Sequence, residues 1–128
     1  MTISFDQALK VHASALELRS RRAEIIAANL ANADTPHYQA RDIDFSAMLH
    51  EAVGDDDLKP SQAGHLRLAA NSSTELLYRV PTQPAIDGNT VDAEQEKAEF
   101  ADNALRYQAS LGFLSGRIQG LLSAIRGE

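Results

Sequence analysis

Residues 92–126 read DAEQEKAEFADNALRYQASLGFLSGRIQGLLSAIR and carry an apolar seven-residue repeat. One set of side chains lies seven residues apart, and a second set has the same spacing at an offset of three. The first set is Ala104, Leu111, Ile118 and Ile125, and the second is Phe100, Tyr107, Leu114 and Leu121. These spacings are typical of the a and d positions of a coiled coil. Asp92 followed by Gln95 predicts the start of this helix.

Residues 4–32 predict a second long helix. Ser4 and Gln7 have capping-box spacing, and the stretch contains neither Gly nor Pro. Its heptad is less pure, since His12, Arg19 and Ala23 share it with apolar residues, which are Phe5, Leu9, Leu16, Ile26 and Leu30. Two such helices can pair in a hairpin. We therefore expect an elongated, mostly α-helical molecule with coiled-coil-like pairing of its terminal helices, within residues 1–35 and 90–128.

The first helix carries a further apolar stripe, away from its heptad positions. Val11, Leu18 and Ile25 lie seven residues apart on this second side. One partner helix cannot cover both sides, and exposed apolar stripes mark interaction surfaces. The sequence thus predicts that the helices pack against further copies or other chains.

Residues 36–89 have a different composition, because all four prolines lie there. Long helices cannot continue through such a segment. It predicts an irregular middle with a short helix near residues 45–53. Two short strands, residues 66–70 and 75–80, are expected to flank a turn.

Composition excludes several classes of protein. The chain has 128 residues, a formal net charge of -6 and no cysteine. An acidic chain without a long basic stretch argues against nucleic-acid partners, and the lack of cysteine removes disulfides and thiolate metal sites. No apolar run is long enough to span a membrane, and no cleaved secretory signal is expected at the start.

The sequence contains no strong pattern for a catalytic, metal-binding or phosphate-binding site. The four histidines are scattered, and His50-Glu51 lacks the second histidine of a helical zinc site. Phosphate-binding glycine patterns and a Gly-x-Ser-x-Gly elbow are also missing. We therefore expect no metal, no cofactor, no small-molecule substrate and no enzymatic activity.

A helix-terminating stretch follows the first helix. Residues 29–38 read NLANADTPHY. Asn32 tolerates a left-handed capping conformation, and Pro36 pushes Thr35 out of helical geometry. The polar side chains here can bond the turned backbone, and the candidate residues are Asn29, Asn32, Thr35, Pro36 and Tyr38.

This stretch resembles the motif Asn-Ile-Ala-Asn followed by Thr-Pro-Gly-Tyr, which bacterial flagellar axial proteins share near their N-termini. Residues 39–45, QARDIDF, resemble the flagellar basal-body rod protein B family in particular. Further segments resemble the same family in the same order: YRVP at residues 78–81, DGNTVD at 87–92, NALRYQ at 103–108 and SAIR at 123–126. His37 stands where the family usually has glycine.

The resemblance implies a non-enzymatic subunit of the proximal rod, the segment of the flagellar drive shaft that crosses the periplasmic space. It implies export through the flagellar type III apparatus without a cleaved signal peptide. The terminal helices would form the inner coiled-coil layer of the rod, and the turn at residues 29–38 would contribute to subunit contacts. Implied partners are other copies, other proximal rod proteins, the junction protein at the rod base, the membrane-ring protein and the export gate.

A cytoplasmic helical adaptor or export chaperone is the alternative. Such a protein would shield an apolar helix of its partner and would form a stable dimer or heterodimer in solution. A rod subunit would instead be a mostly monomeric, loosely helical chain that polymerises.

Overall fold

The computed structural model describes residues 5–54, 76–81 and 85–127. In chain order the elements are α1 (Phe5–Ala31), β1 (Arg41–Asp42), α2 (Phe45–Gly54), β2 (Leu77–Tyr78) and α3 (Ala93–Arg126). At 1.5 Å per residue, α1 is about 40 Å long and α3 about 51 Å. α1 packs against both α3 and α2. The predicted mostly α fold with two long terminal helices is confirmed.

Both ends of α3 are capped as its sequence favours. The Asp92 carboxylate accepts hydrogen bonds from the backbone N–H groups of Glu94 and Gln95 at 3.1 and 3.2 Å. Gly127 adopts φ 76° and donates its N–H to the Ser123 carbonyl at 3.0 Å. The two caps satisfy backbone groups that a helix end otherwise leaves unpaired. The predicted cap of the first helix, Ser4, lies outside the described residues.

β1 and β2 form a two-stranded antiparallel sheet that differs from the expected one. Arg41 pairs with Tyr78 and Asp42 with Leu77. The sequence placed a strand over residues 75–80, which contains β2, but it assigned no strand near residue 41. β1 escapes sequence analysis because a two-residue strand has no alternating pattern to detect. The other predicted strand, residues 66–70, lies outside the described residues.

The buried centre of the described chain is as polar as it is apolar. Its buried hydrophobic residues are Leu18, Ile26, Ala40 and Ile43. Its buried polar residues are Asn29, Asn89, Glu96 and Asn103. A cation–π contact joins α1 to α2: the guanidinium of Arg19 on α1 lies 4.3 Å from the centre of the Phe45 ring on α2. Specific hydrogen bonds, as well as apolar packing, therefore set how these elements meet.

Candidate functional site

The end of α1 is joined to β1 through one buried amide. Asn29 is fully buried, and its Nδ2 donates to the Arg41 carbonyl at 2.7 Å. Its Oδ1 accepts from the Arg41 N–H at 3.0 Å and from the Tyr38 hydroxyl at 3.4 Å. The side chain thereby bonds both backbone groups of Arg41, as a neighbouring strand would. This fixes the direction in which the chain leaves α1.

A second buried amide, Asn89, holds the turn that follows α1. Its Nδ2 lies 3.1 Å from the carbonyl oxygen of Asn32, 2.7 Å from that of Ala33 and 3.0 Å from that of Thr35. These carbonyls follow Ala31, the last residue of α1. Those of Asn32 and Thr35 also accept backbone N–H groups, at 3.0 and 3.3 Å, and Asn89 adds a buried donor to the turn. The sequence gives no sign of this role, because Asn89 lies 54 residues after Thr35 in the chain and such a contact leaves no local pattern.

The turn itself is built from the predicted polar residues. Asn32 Nδ2 donates to the Ala28 carbonyl at 2.8 Å, and the Thr35 hydroxyl donates to Asn32 Oδ1 at 3.2 Å. Thr35 and Pro36 are exposed, whereas Tyr38 is half-buried. Two of these side chains therefore face solvent and are accessible to another molecule.

His37 takes the backbone conformation that glycine normally provides. Its φ is 60°, and its N–H donates to the Asp87 carbonyl at 3.1 Å. A Cβ added to Gly88 would lie 2.9 Å from His37 Nδ1, so the imidazole uses the space that glycine leaves. His37 thus adopts a left-handed backbone conformation, which favours glycine.

Five charged side chains meet where α1, β1, β2 and α3 converge. Arg22 binds Asp42 through two contacts, Nε to Oδ1 at 3.0 Å and Nη2 to Oδ2 at 2.9 Å. Arg79 binds Asp42 at 2.6 Å and Glu96 at 3.0 Å. Arg22 also binds Glu99 at 3.0 Å. We call these five residues the ionic junction, because they connect α1, β1 and α3 with Arg79, the residue that follows β2.

The ionic junction shifts the pKa values of Asp42 and Glu96 in opposite directions. Burial alone would raise the pKa of Asp42, but hydrogen bonds from Arg22 and Arg79 outweigh it and hold the pKa below its ordinary 3.8. For Glu96, burial is the largest effect and raises the pKa above its ordinary 4.5, in spite of Arg79. The hydrogen bond to Asp42 is the main reason that the pKa of Arg22 is raised.

The face of α3 that meets α1 differs from the predicted heptad face. Glu96 and Asn103 are buried, and Ser110, Leu114 and Leu121 are half-buried along the same side of the helix. The other heptad residues are exposed: Phe100, Ala104, Tyr107, Leu111, Ile118 and Ile125. We call these six residues the outer flank; its five larger side chains are 36% to 67% exposed. Within the protomer, only Leu114 and Leu121 of the eight heptad residues of α3 are half-buried, and the other six are exposed.

Polar residues on α1 account for this rotation of α3. Asn103 Nδ2 donates to the Arg19 carbonyl at 2.9 Å, and Arg19 Nε donates to the Ser110 hydroxyl at 3.3 Å. With Arg22 bound to Glu99, α3 must turn its polar side toward α1. The apolar outer flank is displaced to one side as a result.

The predicted interface residues of α1 fall into two groups. Ile26 is 0% and Leu18 is 8% exposed, so the protomer itself buries them. Val11 is 39% exposed, and Phe5 is the first residue of α1. The half-buried residues are Leu9, Leu16, Ile25 and Leu30. Of the second stripe, the protomer itself covers Leu18, whereas Val11 stays exposed, so the predicted contact of this stripe with another chain does not apply to Leu18.

A row of glycines on α3 went unnoticed in the sequence. Gly112, Gly116 and Gly120 are four residues apart, so they follow one side of the helix. A Cβ added at any of them would meet nothing within 4 Å. The signal that could have identified them is this i, i+4, i+8 spacing of residues that disfavour helices.

The described residues offer a surface for packing. Among residues 5–54, 76–81 and 85–127, no group of three or more acidic or histidine side chains is placed to hold a metal ion. Nor does any helix in these ranges have the length and apolar character needed to cross a membrane. The prominent features are an apolar outer flank and a glycine row on one long helix.

Comparison with known proteins identifies the family. A family model described as "Flagella basal body rod protein" matches residues 9–39. The chain is 50% identical over 125 residues to the flagellar basal body rod protein FlgB of Cereibacter sphaeroides, covering 97% of this chain and 98% of that protein. It is 47% identical to the protein of that name from Aeromonas hydrophila over 100% of this chain and 99% of that protein. For the Escherichia coli relative the identity is 45%, with 98% of each chain covered. The protein belongs to the family of flagellar basal body rod proteins.

Proposed function

We propose that this chain is a structural subunit of the proximal rod of the bacterial flagellum and that it assembles mainly through the outer flank of α3. The relatives are rod proteins, which supports a structural role. The outer flank is the single observation that carries the proposed mode of assembly. It is a heptad-spaced apolar surface that the described protomer leaves partly exposed along the length of α3.

The geometry of the outer flank suits helix packing between subunits. From Phe100 to Ile125 it extends along about 38 Å of α3, at 1.5 Å per residue. Burying a fully exposed large apolar side chain contributes about 1.5 to 3 kcal/mol. The five side chains are 36% to 67% exposed, so burying what remains of each one favours association by a corresponding part of that amount. Continuous packing of long helices would also let a rod transmit torque.

Other surfaces support contacts with additional neighbours. The glycine row leaves room for a close approach of another helix, and Thr35 and Pro36 are exposed at the turn after α1. We propose other copies and other proximal rod proteins as the neighbours. The junction protein at the rod base, the membrane-ring protein and the export gate remain predicted partners, and a periplasmic position reached without a cleaved signal peptide remains the predicted location.

A complementation experiment tests this function. In a strain that lacks the gene, we would express the wild-type chain, Leu111→Glu with Ile118→Glu, or Leu111→Met with Ile118→Met. Both positions are about two fifths exposed, so neither pair should disturb the fold. We expect the glutamate pair to abolish retention in purified basal bodies and swimming in soft agar, because it places charges in an apolar contact. The methionine pair keeps the surface apolar and should support both.

Circular dichroism of the purified variants serves as the folding control. Normal rods and swimming with the folded glutamate pair would refute assembly through the outer flank. A wild-type chain that stays soluble in cells with complete flagella would refute the rod function itself and favour the adaptor.

A further inference from the structure

The ionic junction contains unequal numbers of positively and negatively charged side chains, and the proposed assembly does not depend on this difference. Its cations are Arg22 from α1 and Arg79 from the residue that follows β2. Its anions are Asp42 from β1 with Glu96 and Glu99 from α3. When every group is ionised, three carboxylates face two guanidinium groups. One negative charge is therefore uncompensated.

Glu96 is the member of the ionic junction least able to carry that charge. It is 1% exposed, and its Oε1 accepts a hydrogen bond from Arg79 at 3.0 Å. Its Oε2 is buried and has no hydrogen-bond partner among the described residues. A buried carboxylate oxygen without a donor loses hydration and gains nothing in return. Glu99 and Asp42 are more exposed, at 33% and 17% of their side-chain surface.

We propose that Glu96 is a proton-binding site at the meeting point of α1, β1, β2 and α3, and that the protein takes up one proton there as it folds in mildly acidic solution. With that proton bound, the ionic junction holds two carboxylates against two guanidinium groups. The groups that act on Glu96 are Arg79 after β2, Asn29 from α1, Asp42 from β1 and Glu99 from α3. This property belongs to the single protomer and does not depend on the proposed rod assembly.

The direction of the electrostatic effects agrees with the geometry. Burial raises the pKa of Glu96, Arg79 and the Asn29 amide oppose that rise, and the charges of Asp42 and Glu99 add to it, leaving the pKa above 4.5. The folded protein consequently holds the proton at pH values where the unfolded chain has lost it. The resulting stability is complete below pH 4.5 and is lost as pH rises through the folded pKa of Glu96.

Urea unfolding of three full-length proteins tests the proposal. Wild type, Glu96→Gln and Glu94→Gln would be unfolded from about pH 4.5 to about pH 8, followed by circular dichroism. Glu94 is the matched control, because it lies in the same turn of α3, its side chain is 85% exposed, and it pairs only with Lys97 among the described residues. Wild type and Glu94→Gln should lose up to about tenfold in the folding equilibrium constant per pH unit between the unfolded and folded pKa of Glu96.

Glu96→Gln keeps the size and the hydrogen-bond acceptor of the side chain but cannot titrate. We expect this variant to lose the change of up to about tenfold per pH unit in the folding equilibrium constant. The difference between its stability profile and that of wild type then reports the proton bound by Glu96, because protons bound by the histidines contribute equally to both profiles. The proposal is overturned if the Glu96→Gln and wild-type profiles run parallel. Carbon NMR of the Glu96 carboxyl group in folded wild type gives a second test that needs no variant. A pKa of Glu96 at or below 4.5 in that titration would also overturn the proposal.

Discussion

At the scale of single residues, two asparagine side chains form hydrogen bonds that backbone groups normally form. Asn29 bonds both backbone groups of Arg41, and Asn89 donates to three carbonyls after α1. Both side chains are buried, so no solvent water replaces these bonds if they are lost. Asn29 lies in the motif that the sequence singled out, whereas Asn89 acts across the chain.

Asn89→Ala should therefore destabilise the protein by about 2 kcal/mol, because it removes a buried amide that donates to carbonyls of this turn and accepts the Val91 N–H. Urea unfolding at neutral pH measures this. The matched comparison is Asn32→Ala in the same turn, where two exposed local bonds are lost, one to the Ala28 carbonyl and one from the Thr35 hydroxyl. Because solvent water can replace exposed bonds, a loss of about 0.5 to 1 kcal/mol is expected. An equal or larger loss from Asn32→Ala would contradict the role assigned to Asn89.

At the scale of elements, α3 retains residues that weaken an isolated helix. A glycine inside a helix costs about 1 kcal/mol relative to alanine, and the glycine row contains three. Since added Cβ atoms would meet nothing within the described protomer, packing inside the protomer does not require glycine there. Close contact with another helix in the rod would account for the row.

Gly116→Ala should raise the unfolding free energy of the isolated protomer by about 1 kcal/mol, because it restores helix propensity without a clash. Thermal unfolding of the dilute protein measures this. Ala109→Gly, at another exposed position of α3, is the reverse control and should lower it by about the same amount. A loss of protomer stability in Gly116→Ala would show that glycine is needed within the protomer.

At the scale of the whole molecule, the ionic junction makes stability depend on acid. The pKa of Asp42 lies below 3.8 in the folded protein, so its contribution is complete above that pH and is lost as pH falls through the folded value. Urea unfolding of wild type below pH 3.8 should therefore show a steep loss of stability. Asp42→Asn should flatten that loss and reduce stability at neutral pH, because Arg22 and Arg79 lose their shared anion.

Asp44→Asn is the control for this acid dependence. Its carboxylate caps α2 by accepting the Ala47 N–H at 3.0 Å, and this bond is the main cause that lowers the pKa of Asp44. The group is exposed to solvent, so the variant should retain most of the acid sensitivity of wild type. An acid profile for Asp42→Asn that matches wild type would contradict the central place of Asp42.

Local patterns of residues were sufficient to predict the two long helices, the N-cap at Asp92 and the end of α1 at the turn. These features depend on neighbours three or four residues away, and the sequence displays such neighbours directly. The pairing of β1 with β2, the contacts of Asn89 and the ionic junction join residues far apart in the chain. The face of α3 that meets α1 belongs with them, because the bonds of Asn103 to Arg19 and of Glu99 to Arg22 outweighed its heptad. Apolar spacing identifies a surface that must be covered, but polar groups that must find partners determine which surface is covered within the protomer and which is left for assembly.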